Sequence, residues 1–237
     1  MNTQRSIITG QIRSPIHSDE PDERDLKKHV KSGWLPDSYP ISQYSPRAMN
    51  QGQTGACGAF TGWSLIYNIT ARLLSPVSID PFRLYDDIRK WRGSYPDDTG
   101  MSIRELFKFL HQVGAAIEGV KSRFKIPGYE RIPVNASTPM LLKQTIALEK
   151  LPVVAGIRIS DEQMRSSYFA STGILFDQYQ EKHYNHAVMI DGYGSMFHFL
   201  NSWGIRWGHG GRGYLPMSFV ANDKLMIDLW SLHPEHA

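Results

Sequence analysis

Apolar positions recur with a helical period in the first half of the chain and give way to extended runs in the second. Phe60, Trp63, Ile66, Ile69 and Leu73 lie three or four residues apart, the spacing of an amphipathic helix. They predict a helix that follows the loop around Cys57 and ends near Leu74-Ser75-Pro76, since the residue before proline is disfavoured in helical geometry. Asp80-Pro81 opens a second helix, with proline at its first position, that runs to Arg89 or Trp91. Ser102 and Glu105 read as the capping box of a third, whose apolar face is Ile103, Leu106, Phe107 and Leu110 and which Gly114 closes. After about residue 130 the pattern changes. One more helix, Pro139 to Lys150, precedes an apolar strand from Leu151 to Ile157, and the remainder reads as strands and turns. Helices first and strands second predict an α+β fold rather than an alternating α/β sheet. We divide it into an extended N-terminal arm at 1–34, a helical part at 35–130 and a β-rich part at 131–237, together one domain.

Two of the strands form a hairpin. His186 to Ile190 leads through the Gly- and Asp-rich stretch Asp191 to Ser195 into Met196 to Asn201. A turn centred between Tyr193 and Gly194 places Asn201 directly opposite His186, and a slip of one residue would send one of them to the other face.

A chain of 237 residues can bury a full core without staples, and its one cysteine permits no internal disulfide. That fits a reducing compartment. Residues 1–20 are polar, with no apolar run long enough for a signal peptide or membrane helix, so we expect a cytoplasmic protein or one exported without a Sec signal. The net charge is +3, and the densest basic run, Lys27 to Lys31, follows an acidic run that ends at Asp25. Nucleic-acid binding needs a one-signed stripe, which is missing. There are no repeats and no low-complexity tract, and a monomer is expected.

A lone cysteine is ordinarily an inert buried hydrophobe. Cys57 differs in its setting, because Gly52 and Gly55 make a tight loop before it and the helical period begins after it. At a loop-to-helix junction, unpaired amide N–H groups and the positive end of the helix dipole favour thiolate over thiol. A thiolate–imidazolium pair also needs a histidine held in one orientation, and an amide oxygen accepting from the far ring nitrogen does that without adding charge. His186 and Asn201 supply both groups about 130 to 150 residues after the cysteine.

Three ordered strings carry a resemblance. They are Gln51-Gly52-Gln53-Thr54-Gly55-Ala56-Cys57, then His186-Ala187-Val188 with Gly192-Tyr193-Gly194, then Asn201-Ser202-Trp203-Gly204 with Trp207-Gly208 and Gly211. Together the chain resembles the papain family of cysteine proteases. The second cysteine of its plant and animal members is Thr54 here, and the aromatic that usually follows the nucleophile is Gly58, departures that look like the bacterial branch. The resemblance implies a two-lobed fold, helical on the left and antiparallel β-barrel-like on the right, with the active-site cleft between. It makes Cys57 the nucleophile, His186 the general base and acid, and Asn201 the group that orients the imidazole. Gln51 would bind the developing oxyanion together with the Cys57 backbone N–H, and Trp203 would shield the His186–Asn201 bond. By the same resemblance Gly100 would offer backbone bonds to an extended peptide and Met101 would wall the pocket for the side chain two residues before the scissile bond, although core filling fits Met101 equally. Asn185 would face the substrate backbone or serve as plain loop.

The implied function is endopeptidase action on a protein or peptide through a thioacyl-enzyme, with no cofactor and no metal. Two other readings stay open: acyl transfer or amide hydrolysis on a non-protein substrate, and a non-catalytic peptide-binding module. The arm is shorter than the inhibitory prodomains usual in the family, so another means of restraint is expected. Gly208-His209-Gly210-Gly211-Arg212-Gly213 fits a dinucleotide-loop pattern, but Tyr214-Leu215-Pro216 follows where a helix is required. His183, His186 and His198 lack the companions of a metal site.

Overall fold

The computed structural model describes residues 11–12 and 33–233. Apart from residues 11, 12, 33 and 34, the expected N-terminal arm lies outside them. The first half contains β1 (Gln11–Ile12), β2 (Tyr39–Pro40), α1 (Cys57–Ala71), α2 (Pro81–Arg92), β3 (Met101–Ser102) and α3 (Ile103–Gln112). Short strands β4 (Ala115–Ala116), β5 (Arg123–Phe124) and β6 (Tyr129–Arg131) lead to α4 (Thr138–Ala147). The second half runs β7 (Val153–Ser160), α5 (Asp161–Met164), α6 (Ser167–Thr172), β8 (His183–Tyr193), β9 (Phe197–Leu200), β10 (Arg212–Leu215), α7 (Met217–Val220) and β11 (Met226–Leu232).

The helix signals act as their chemistry requires. The Asp80 side chain accepts from Phe82 N–H, Pro81 takes the first helical position, and left-handed Gly93 closes α2. At α3 both halves of the capping box form between Ser102 and Glu105. Two expected boundaries move inward: α1 ends at Ala71 and α4 at Ala147, and Leu74 and Lys150 then adopt positive φ of 57° and 59° to turn the chain. The short helices α5, α6 and α7 interrupt a region that reads as strands and turns, too brief to show a 3.6-residue period.

Seven strands form an antiparallel sheet in the order β10-β9-β8-β7-β11-β6, with β2 added on β8. Alternating residues divide between two cores. Val154, Met189, Leu200 and Trp230 pack with Phe60, Leu65, Leu106 and Phe107 of the helices. Ala155, Val188, Ile190, Phe199 and Leu229 pack on the other side with Leu142, Trp203, Trp207 and Phe219. The period-2 alternation of each strand thus serves a helical and a β core at once.

The hairpin register differs from expectation. Tyr193 pairs with Phe197 and Gly192 with His198, so the turn centres on Ser195 rather than between Tyr193 and Gly194. Beyond it, Ile190 pairs with Phe199 and Met189 with Leu200, and Asp191 is the extra residue of a β-bulge. Continued along β8, this register sets His186 opposite position 203 and leaves Asn201 on the diagonal. Diagonal neighbours share a face. The bulge decides this, because without its extra residue the parity would reverse and Asn201 would face away from His186.

β10 lies close against β9, where Gly213 is opposite Phe199. A Cβ at Gly213 would stand 2.3 Å from Phe199 Cζ and 2.5 Å from the Gly173 carbonyl oxygen, which backbone cannot yield. We predict that Gly213→Ala destabilises the protein by about 1 to 3 kcal/mol, read as a fall of several degrees in Tm by circular dichroism. An unchanged Tm would show that β9 and β10 have slack between them.

Candidate active site

Cys57 is the first residue of α1, fully buried and free of disulfide. The N-cap residue Ala56 gives no side-chain cap, so no side-chain oxygen from that position neutralises the positive end of the helix at Cys57. The loop before it is fixed from both sides. On the β side, Asn50 bridges Trp203, Gln51 N–H donates to the Ser202 carbonyl at 2.9 Å, and Gly204 N–H donates to the Met49 carbonyl at 2.9 Å. The Gln51 amide is oriented too: Nε2 donates to the Thr54 carbonyl at 2.7 Å and Oε1 accepts from Ser202 Oγ at 2.5 Å. On the helical side, Gly55 N–H lies 3.0 Å from both oxygens of Asp98, which also accepts from the Tyr85 hydroxyl at 2.5 Å. Burial and the Asp98 carboxylate push the Tyr85 phenol well above its ordinary pKa and keep it protonated.

His186 is fully buried on β8, and its Nε2 lies 2.7 Å from Asn201 Oδ1. Ser202 N–H donates to that same Oδ1 at 2.8 Å. An oxygen receiving a backbone N–H is an acceptor, so Nε2 carries the proton it donates, and Nδ1 is left as the basic nitrogen. Nδ1 has no hydrogen-bond partner among the described residues. Trp203 stacks on the imidazole with ring centroids 4.5 Å apart at 28°, and Phe169 and Trp207 meet Trp203 edge-on. These rings exclude water from the His186–Asn201 bond, which strengthens it. Burial pushes the imidazole pKa down to about 4, against an upward pull from Asn201. The neutral amide supplies no charge to offset desolvation, so an imidazolium here depends on an anion nearby.

The structure brings Gln51, Cys57, His186, Asn201 and Trp203 into one neighbourhood, because α1 packs against β8 and the Gln51 loop is laced to residues 201–204. The other three candidates have more particular positions. Gly100 N–H donates to Tyr85 Oη at 2.9 Å and its carbonyl accepts from Arg92 at 2.8 Å, so this N–H is already committed within the fold. The edge that takes an extended segment is the next two residues, since β1 pairs in parallel with Met101 and Ser102. Met101 is buried, and a Cβ on Gly58 would come within 2.6 Å of its Cγ and Sδ. The glycine after Cys57 therefore makes room for Met101. Asn185, adjacent to His186, keeps a buried Oδ1 without a partner among the described residues.

Sequence reasoning missed Ser202, Asp98 and Tyr85. Ser202 lies inside the Asn201-Ser202-Trp203 string, which marks it as a neighbour of the site without naming its role, and Asp98 lies two residues before Gly100. Tyr85 gave no signal beyond its place on a helix. Among the described residues, no cluster of side chains could hold a metal ion and no helix is long and apolar enough to cross a membrane.

A family model described as papain family cysteine protease matches residues 111–229. The chain is 27% identical to cathepsin K of Mus musculus over 225 residues, covering 86% of this chain and 66% of that protein. It is 26% identical to stem bromelain of Ananas comosus over 182 residues, covering 71% of this chain and 81% of bromelain. Among solved structures it resembles xylellain, a cysteine protease from Xylella fastidiosa, with a TM-score of 0.77 and 20% identity over 98% of both chains. The α+β arrangement is thus the papain-like fold, and with half of its length matched by the family model the chain belongs to the papain family of cysteine proteases.

Proposed function

We propose that this chain is a cysteine-type peptidase in which Cys57 attacks the carbonyl carbon of a peptide bond and forms a thioacyl-enzyme that water hydrolyses. The observation that carries the reading is the His186 ring, whose Nε2–H is fixed by Asn201 Oδ1 at 2.7 Å while Nδ1 stays without a partner among the described residues. A base must present its lone pair in one direction, and this bond leaves Nδ1 as that site. His186 takes the thiol proton and returns it to the leaving amine. The Cys57 backbone N–H and Gln51 Nε2 donate to the oxyanion, where each such donor is worth roughly 3 to 4 kcal/mol of barrier. A peptide substrate is favoured over a small amide because the Met101–Ser102 edge already accepts a strand, Gln11–Ile12, through main-chain pairing. Acyl transfer in place of hydrolysis uses the same residues, and product analysis with and without an added amine separates the two.

Digestion of a proteome-derived peptide library tests the proposal. Cys57→Ser should abolish cleavage and leave Tm near that of the wild type, because the two side chains are close in volume; retained cleavage would remove Cys57 from the mechanism. Asn201→Ala should lower kcat more than it raises KM, because the orienting bond matters most as charge develops on His186. A change confined to KM would assign Asn201 to substrate binding instead.

The pH dependence has a definite sign. An imidazole with a folded pKa of about 4 against about 6.5 when unfolded refuses a proton that the unfolded chain accepts, so stability falls as pH drops from 6.5 toward 4. A resting thiolate–imidazolium pair carries one proton where the unfolded thiol and imidazolium carry two, so pairing does not cancel that loss. We therefore expect the Tm of Cys57→Ala to fall between about pH 6.5 and 4, and His186→Gln in the same background to remove that part of the fall. A Cys57→Ala slope unchanged by His186→Gln would mean that burial does not hold His186 neutral. In parallel, iodoacetamide should alkylate Cys57 near pH 5, where an ordinary thiol with pKa about 8.5 is protonated, and His186→Ala should abolish that reaction.

A further inference from the structure

Asp191 is fully buried and ionisable and occupies an unspecified position of the histidine string, yet it is the extra residue of the bulge that gives His186 and Asn201 a common face. Its direct partners come from two separate parts of the chain, one of which is tied in turn to a third. Arg212 Nη1 lies 2.9 Å from both carboxylate oxygens. Ser45 Oγ donates to Oδ2 at 2.6 Å and itself accepts from Asn68 Nδ2 at 2.9 Å. The Asp191 carbonyl, next along the β2–β8 pairing, accepts from Ile41 N–H at 2.9 Å. The charged and titratable groups that face the carboxylate are Arg212 on β10 and His198 on β9. Burial pulls the carboxyl pKa upward, and Arg212 and Ser45 act against that pull.

The placement of these partners is specific. Arg212 stands opposite Leu200 in the β9–β10 ladder, and the preceding Gly211 carbonyl accepts from Asn201 N–H at 3.0 Å. The ion pair therefore crosses β9 beside the residue whose amide holds His186. Asn68 belongs to α1, the helix that begins at Cys57, and Ser45 lies in the segment that runs on to Gln51. One carboxylate thus ties β8, β10, α1 and the Gln51 loop together. A glycine-rich turn alone could close this hairpin without a bulge, so the bulge needs a cause, and a buried carboxylate held by Arg212 on one side and Ser45 on the other provides one.

From this we infer that Asp191, clamped by Arg212 and Ser45, is a positioning residue that fixes the β8 bulge and so brings the His186 imidazole and the Asn201 amide onto one face and into register with α1. The inference rests on the reading of His186 and Asn201 given above. It is testable apart from that reading, because the hydrogen bond between them exists whether or not the protein cleaves peptides.

The test is the downfield imidazole N–H resonance in proton NMR, assigned to the His186–Asn201 bond by its loss in His186→Ala. Asp191→Val combined with Arg212→Met removes both charges together, which avoids leaving one buried and unpaired. Ser45→Ala weakens the clamp without touching either charge and serves if the double variant does not fold. In the variant that folds, we expect the resonance to broaden or vanish and kcat to fall about tenfold to a hundredfold with little change in KM, the effect of a displaced reacting group. The arginine alone, as Arg212→Lys, should restore part of both readouts relative to Arg212→Met. A folded variant that keeps the resonance overturns the inference, and so does a loss confined to Tm or KM. If the wild type neither cleaves peptides nor shows His186-dependent alkylation of Cys57, the functional reading fails while the resonance still decides the role of Asp191.

Discussion

The hydrogen bond from His186 Nε2 to Asn201 Oδ1, 2.7 Å long and inside the protein, is the constraint to which the β side of the structure is fitted. A neutral pair in such a place gains from low dielectric only if both groups are oriented by others. The Asn201 amide is turned by Ser202 N–H, the imidazole is stacked by Trp203, and Trp203 is itself wedged by Phe169 and Trp207. Those aromatic residues come from the short α6 helix and from the turn after β9, neither of which has much regular structure. Their ordering is inherited from packing against the sheet rather than from local propensity.

The same bond would be useless if the thiol were not delivered to it. The Gln51 loop arrives by extending the sheet hydrogen bonding into irregular chain, with Asn50 bridging Trp203 and Gln51 N–H reaching Ser202. From the other side Asp98 fastens Gly55 to Tyr85. The first turn of α1 is therefore held between the two cores, with Gly58 admitting Met101 against it. A large residue at 58 and a large residue at 101 exclude each other, so the missing aromatic after Cys57 and the methionine 44 positions on are one packing decision.

Much of this was legible in the sequence, for identifiable reasons. Pro81, Gly93 and the Ser102–Glu105 box are local signals, and their helices begin and end where local chemistry dictates. The Cys57, His186 and Asn201 strings stood out because each pairs an unusual residue type with fixed neighbours. The hairpin register was misplaced because a bulge has no signature in composition: Asp191 looks like a turn residue and acts as a core one. Nor could the sequence reveal that Gly100 N–H is taken by Tyr85, since that bond joins residues on different elements whose approach only packing decides. The downward direction of the His186 pKa was hidden for a related reason. Spacing shows which groups meet but not how dry the meeting place is, and here burial dominates.

That dryness explains the choice of an amide at position 201. A carboxylate there would stabilise imidazolium whether or not a thiolate were present, leaving an ion pair that persists after acylation has consumed the thiolate charge. Asn201 orients the ring and contributes no charge, so in the mechanism proposed above imidazolium in this buried setting would be stabilised by an anion formed at Cys57. In that mechanism the two charges would appear together and disappear together. Each proton transfer between them would then move within a closed pair, and the surrounding apolar rings would not have to accommodate an uncompensated ion. A site of this kind can be fully buried on the His186 side without penalising the state in which it reacts.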